Sequence, residues 1–579
     1  VVKMPPILVE LRPNRRLLDH DFDGYKLNLS TLPHWNFALE SPTDKVYPAD
    51  AQYSFLHTKL FALHNHLIAD QWSHHYTYYY IDNERRVRRI NFDSELHTFT
   101  MSTVYSIPVH EERKCGHFNI SMKFASSELA LISDGTGHLH IITTENRTST
   151  EEQWHTSHSI QVLGENKYFV IIDCRTQELD GELTVHCLVQ SVEQHDQTFN
   201  SVLTWVAYTK ADNGWRQVSI TQLEGKGIVH YAAIESTCAA LYIATDNQFK
   251  FISDPATMES ETPVEEPKIV YTWLETMEDI NICLKLPKKY DKSLLHVEVS
   301  PCDVNVSYAG VSHVRGQLYG KVDSDLTTWN IQQDGQLDVL ITKSESVIWG
   351  SLLQHEDPTG QQIMDPSLVE KAHQQLSHLC SETEVEPDKI TPGISDQQLE
   401  ECDAASDEDT TLVRIDAATH KTTHKVPLSV HQYLFDINIE PTEVPTIALR
   451  HDVDACLWQP YAKLTDKEQW SLQHVGTLSA FAYVQSSKSN KKFITCPPNF
   501  SYSIVCEATR HLFIYKSIDN AIDGCQLRKR NPAGNTKKVN VGHQHVFNIE
   551  KYGQVLGVNA TNSYLFVLTD TNMVAIEIN

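Results

Sequence analysis

The sequence predicts an all-β chain in which a β-propeller of about seven blades is interrupted by a compact β-sandwich. Three observations carry that expectation. A strand–turn–strand phrase recurs on both sides of the chain's middle, residues 271–353 alternate cleanly between apolar and polar, and biased runs bracket that stretch. With 579 residues and 41% hydrophobic content, the chain can bury several cores.

The recurring phrase is first complete at Leu131-Ile132-Ser133-Asp134-Gly135-Thr136-Gly137, ahead of an apolar strand at 139–142. It returns as Ile243-Ala244-Thr245-Asp246 before 249–252 and as Val567-Leu568-Thr569-Asp570 before 573–578, with Tyr80-Ile81-Asp82 as a looser copy. Asp in such a turn can accept hydrogen bonds from nearby backbone amides and Gly supplies a positive φ, so each phrase reads as a hairpin. Copies fall about 50 residues apart or about twice that, the period of propeller blades with longer loops. Strands at 202–207, 412–415, 455–458 and 512–515 fill the array, although the Gly-His and Trp-Asp marks of WD repeats are absent. Residues 1–258 and 411–579 are therefore assigned to the two parts of one propeller.

Between them, residues 259–267 are rich in Glu, Pro and Thr and read as a linker. The sandwich is expected over 268–356. Ile280, Ile282, Leu284 and Leu286 alternate with polar positions, as do Leu295, Val297 and Val299, then Val304, Val306 and Tyr308, so each strand turns one face to a core. Asp334-Gly335 between two such strands predicts a hairpin. Residues 357–410 read as a helix and an acidic flexible linker. Asp365 caps a helix with Pro366 at its first position and Leu368, Val369, Ala372, Leu376 and Leu379 on one stripe. The acidic run that follows holds Ser406-Asp407-Glu408-Asp409, which makes Ser406 a candidate for regulation by phosphorylation.

A net charge of −27 argues against a large nucleic-acid surface. One basic cluster, Arg528-Lys529-Arg530 with Lys537-Lys538, reads as an exposed loop or a weak nuclear-import signal. Twelve cysteines without CxxC spacing, most of them in apolar strands, read as reduced thiols of a cytosolic or nuclear protein. No phosphate loop, GxSxG elbow or HExxH motif occurs, and no cofactor or metal is expected. His64-x-His66, His138-x-His140 and His543-x-His545 could each place two imidazoles on one face, but lack further ligands nearby and read as surface or loop histidines. His451-Asp452-Val453-Asp454 reads as a blade turn with satisfied carboxylates. The run Tyr76-Thr77-Tyr78-Tyr79-Tyr80 reads as a core strand, with a base-stacking platform beside Arg85, Arg86, Arg88 and Arg89 as the rival.

Tyr271-x-Trp273, Leu286-Pro287-Lys288-Lys289, Gly316-Gln317-Leu318-Tyr319-Gly320-Lys321, Thr328-Trp329 and Trp349 arrive in order on these strands. Together they resemble the CS domain of the NudC family, and flanking stretches extend the resemblance over nearly the whole chain. The resemblance implies a docking module shared with co-chaperones of heat-shock protein 90. Trp273, Trp329 and Trp349 each have a reading as core, favoured for Trp329, with partial exposure at an interface as the functional reading of Trp273 and Trp349. Tyr271 is a further protein-contact candidate, and Lys285, Lys288, Lys289 and Lys292 lie close enough to form a basic patch for an acidic partner. The expected function is a non-enzymatic adaptor or co-chaperone-like protein, cytoplasmic with the nucleus as a second compartment. The alternative is a ribonucleoprotein-associated or RNA-associated factor acting through a protein partner.

Overall fold

A computed structural model describes residues 6–73, 75–145, 147, 153–179, 181–195, 198–212, 214–253, 271–286, 290–332, 336–347, 349, 351–354, 360–363, 410–428, 431–461, 470–488, 490–517, 526–530 and 536–579. At 253, 361–363, 526–530 and 536–538 it describes backbone alone. Two units emerge, one of residues 1–255 with 398–579 and one of 256–397.

In the first unit, the described strands stack as seven sheets, antiparallel except at two edge strands and apolar on both faces of their inner strands, the blades of a propeller. In chain order these are blade 1 (68–106), blade 2 (121–161), blade 3 (170–225), blade 4 (229–245 and 411–427), blade 5 (433–478), blade 6 (491–548) and blade 7 (555–577). The tyrosine run shows why both faces must be apolar. Along Tyr76–Ile81, Tyr78 and Tyr80 pack with Phe566, Leu568 and Met573 of blade 7, while Tyr79 packs the opposite way with Met122, Ile132 and Trp154 of blade 2. Alternate side chains of a strand point to opposite faces, and a blade has a neighbour on each. The rings are core, as the sequence predicts, and offer no stacking platform. Arg88 and Arg89 are buried with them, and Arg86 is paired with Asp82 at 2.9 Å.

The recurring Asp turns behave as their residue types require. Asp134 Oδ1 accepts from the amides of Thr136 at 2.8 Å and His138 at 3.1 Å, and Gly135 takes φ 73°, a region that favours glycine. Asp82 Oδ1 accepts from the amides of Glu84 and Arg86. At His451↔Asp454 the expected blade turn forms, with Asp454 accepting from the Ala480 amide.

One phrase pairs differently from its siblings. Ala240–Thr245 does not fold back on the next strand, because Lys250–Ser253 pairs with Gly214–Gly225 of blade 3. The third strand of blade 4 is Thr411–Asp416, on the far side of the insertion. The buried carboxylate of Glu235 gives the physical reason. Arg414 reaches it through Nε at 2.8 Å and Nη2 at 2.9 Å, whereas the 249–252 stretch brings only an exposed Lys250.

The chain's beginning closes the ring. His34–Ala38 is the fourth strand of blade 7, antiparallel to Asn572–Glu577. Before that, Ile7–Leu8 runs parallel to Thr422–Pro427 on blade 4 and Phe22–Leu27 runs parallel to Thr536–Asn548 on blade 6. Between these two strands the Asn14 amide donates to His474 Nδ1 on blade 5 at 3.0 Å. Residues 7–38 thus form a belt over the outer edges of successive blades, covering strand edges that would otherwise be open to pairing. The basic stretch expected as a loop carries strand backbone, with Gln526–Arg530 paired to Thr536–Asn548.

The second unit is a two-sheet sandwich. One sheet runs in the order Val322–Ile331, Gln336–Lys343, Asp279–Lys285, Tyr271–Glu275, Gly360–Ile363, and the other is Leu295–Val299, Asp303–Tyr308, Val311–Gln317. Ile280, Ile282, Leu284, Val304, Val306, Val339 and Ile341 fill the space between them, as the alternation requires. Gly360–Ile363, parallel to Tyr271–Glu275, adds a strand beyond the end expected at 356. The expected linker at 259–267, the helix after Asp365, and Ser406 lie outside the described residues.

Candidate interaction surfaces

In the sandwich, one buried network fixes the motif residues. Lys343 and Glu275 form an ion pair whose side chains are almost wholly buried. Lys343 Nζ also donates to the carbonyls of Thr276 and Val347, both at 2.8 Å, and Glu275 accepts from the Trp349 amide. The Trp349 ring then lies on Gly320, where a Cβ would come within 2.8 Å of its Cε2 and Cζ2. That close approach is what Gly320 permits, and it explains why a glycine and a tryptophan so far apart in sequence belong to one motif.

The exposure of the tryptophans differs from their interface reading. Tyr271, Trp273 and Trp349, candidates for partner contact, are core residues only 3%, 5% and 4% exposed. Trp329, assigned to the core, is 46% exposed. It stands on the edge strand Val322–Ile331, whose register slips between Asp323 and Thr328, and of that strand Val322 and Ile331 are the hydrophobic residues that join the core. Leu326 on this strand is 57% exposed. Lys285 and Lys292 are exposed, as a basic patch needs, while Lys288 and Lys289 lie outside the described residues.

In the propeller, the helix Phe55–Ala62 follows blade 7's last strand and leads into blade 1, its N-terminus capped by Ser54 Oγ accepting from the His57 amide. Lys59 on this helix enters a polar cavity of about 470 Å³ lined by blades 1 to 5 and 7. Its Nζ donates to the Val229 carbonyl. Burial pushes the Lys59 ammonium down to about 8, against the pull of Asp436 and Asp246. Asp246 directly follows Ala240–Thr245, the last strand of blade 4 ahead of the insertion. Its Oδ1 accepts from Thr410 Oγ1 at 2.8 Å, on the returning chain, and lies 2.7 Å from His230 Nε2. The two parts of blade 4 are thereby joined through one carboxylate.

The histidine pairs depart from expectation. His66, His140 and His545 are buried rather than on the surface. Burial pushes His64 and His140 down to about 4, so both are neutral near pH 7. Among the described residues, no group of three or more His, Cys, Asp or Glu is arranged to hold a metal ion, and no helix is long and apolar enough to cross a membrane.

Comparison with known proteins agrees with this geometry. The family model of the CS domain matches residues 269–343. NudC domain-containing protein 1 of Mus musculus is 33% identical over 588 residues, covering 98% of each chain. The chain belongs to the NudC domain-containing protein 1 family. The family's Xenopus tropicalis member is likewise 33% identical over 594 residues, 98% of each chain. The nuclear movement protein nudc of Schizosaccharomyces pombe is 26% identical over 135 residues, 23% of this chain and 78% of that protein. Membership in the NudC domain-containing protein 1 family, with a CS domain inside a propeller, indicates a protein-interaction role of the co-chaperone-like kind.

Proposed function

We propose that this chain is a non-enzymatic adaptor that holds a client protein on its propeller and engages a chaperone through its CS sandwich, with heat-shock protein 90 as the first candidate. The exposed edge strand Val322–Ile331 carries this reading. It ends its sheet among the described residues, with the Val322 amide donating to the Pro301 carbonyl at 3.0 Å, and past that point its edge offers a partner strand a place to pair beside the apolar anchors Trp329 and Leu326. Lys285 and Lys292 add positive charge for an acidic surface. The buried Tyr271, Trp273 and Trp349 support the site by fixing the sandwich instead of touching the partner. The setting proposed is the cytoplasm, with the nucleus as a second compartment.

The test uses purified heat-shock protein 90 and the full chain, compared with Trp329→Ala, Leu326→Ser and a form lacking residues 268–356. The edge variants should fold normally yet weaken binding at least as much as loss of an interface anchor does, about 2 kcal/mol or about 30-fold. Equal binding by the parent and by the form without the sandwich would end the proposal.

A further inference from the structure

A second cavity of the propeller, about 550 Å³, opens among blades 6 and 7 and the segment leading into blade 1. Its wall gathers Lys45, Lys491, Lys492, Arg510 and His66, with Glu507 its one carboxylate among the described residues. In a chain with 75 acidic and 48 basic residues, such a concentration of cations runs against the composition.

Among the described residues, the hydrogen-bond partners of Lys45 and Lys492 are neutral. Lys45 Nζ donates to the amide oxygen of Gln554 at 3.1 Å, and Lys492 Nζ donates to the next residue's carbonyl, Val555 O, at 2.8 Å. Two ammonium groups of one wall are therefore held on neutral acceptors. Glu507 stays in the wall as a single carboxylate against these cations, its Oε2 accepting from the His511 amide and lying 2.9 Å from His511 Nδ1. Arg510 is exposed and makes no ion pair among the described residues. His66 lines the cavity with its imidazole nine-tenths buried, and no hydrogen bond to its side chain exists among the described residues. Burial pushes His66 well down, and His64, Lys492, Lys45 and Arg113 all push it the same way. Lys492 is lowered by burial and then by Lys45, with only the Cys506 thiol opposing.

We infer that this cavity binds a phosphate monoester, with Lys45, Lys492 and Arg510 holding the dianion and His66 donating from its buried wall. A phosphate monoester carries nearly two charges at neutral pH and three strong acceptor oxygens, which matches two ammoniums and one guanidinium. A carboxylate brings half that charge and only two oxygens. The cavity's volume leaves room for the group that carries the phosphate. The same chemistry arises from a phosphorylated side chain of a protein and from a small free phosphate ester.

The inference is tested on the full chain by ³¹P NMR line broadening, titrating inorganic phosphate in one arm and a glycine-flanked phosphoserine peptide in the other. Saturable broadening is expected in the parent. Arg510→Gln, at an exposed position, should weaken it about tenfold, the loss of one charge-assisted contact. Lys45→Gln with Lys492→Gln should weaken it further, while Lys285→Gln in the sandwich should leave it unchanged. Tighter binding of the peptide assigns the site to a phosphorylated protein, and equal binding assigns it to small phosphate esters. Absence of saturable broadening in the parent overturns the inference, as does unchanged affinity in Arg510→Gln, a variant that decides the matter even if the double variant fails to fold.

Discussion

Arg414→Met removes the guanidinium that pairs with Glu235 and joins the two halves of blade 4 across the insertion. Glu235 is 1% exposed, and Arg414 also donates through Nη1 to Thr423 Oγ1 at 3.0 Å. In the variant the buried carboxylate keeps two neutral donors, the Tyr242 hydroxyl and Thr237 Oγ1. Breaking a buried pair from one side costs about 3–5 kcal/mol, and the two remaining hydroxyls hold the expectation near about 3 kcal/mol. Adding Glu235→Gln removes the stranded charge, so the double variant should be more stable than the sum of the single losses by about 1–2 kcal/mol. Acidity separates this cause from lost packing. Burial raises the Glu235 carboxyl, but Arg414 and Tyr242 more than offset it, so its folded pKa lies below the unfolded one. The pair's stability is therefore present above the unfolded carboxylate pKa and is lost as pH falls through the folded value. Without Arg414 the stranded carboxylate gains by protonating, and the gap between variant and parent should narrow from about pH 7 to about pH 5. Urea unfolding of the full chain gives the size of the loss, and hydrogen exchange of residues 240–245 and 411–416 places it. A loss below about 1 kcal/mol, or strictly additive single losses, would refute the clamp.

In the sandwich, Gly320→Ala should cost about 1–3 kcal/mol by driving a Cβ against the Trp349 ring, seen as faster hydrogen exchange in Tyr271–Glu275 and Gln336–Lys343. His140 and His186 have both ring nitrogens buried without hydrogen-bond partners among the described residues, and burial pushes each down to about 4. The unfolded chain then takes up protons first, so stability falls as pH drops below about 6.5, by about 1.4 kcal/mol per histidine at about pH 5.5. His140→Leu should flatten that slope in denaturation curves, and an unchanged slope would count against it. Tyr25 ties the belt to blades 5 and 6, its hydroxyl donating to Ser479 O at 2.7 Å and its ring 5.0 Å from that of Tyr515. Tyr25→Ala should cost about 2 kcal/mol and expose Phe22–Leu27 to proteolysis, and protection equal to the parent's would sink this reading.

The alternation of Ile280, Ile282 and Leu284 made the sandwich core readable before any coordinates, because a period of two leaves little choice of face. The double-sided burial of Tyr78, Tyr79 and Tyr80 was readable as core, but not as contact with two different blades. The exposure of the tryptophans escapes the pattern for a related reason. Pattern tells which side of a strand a residue occupies, not whether another sheet covers that side. Trp329 sits at an edge with an open flank, and Trp349 is drawn inside by Glu275 and by the space over Gly320. The phosphate-site residues carried no local signal, since Lys45 and Lys492 meet only when the ring closes.

Local chemistry alone determined that this chain is built of strands, that Asp-bearing turns link them, that a sandwich interrupts a propeller, and that the sandwich resembles the NudC family's. Each depends on residues within a hairpin or two, whose hydrogen bonds and apolar faces are satisfied close by. The tertiary structure decided which distant strand completes blade 4, where the first residues are laid, which tryptophan meets solvent and where Lys45, Lys492 and Arg510 line one cavity. Those outcomes depend on burying and pairing groups hundreds of positions apart, and a buried charge such as Glu235 selects its partner by reach in space, not by distance along the chain.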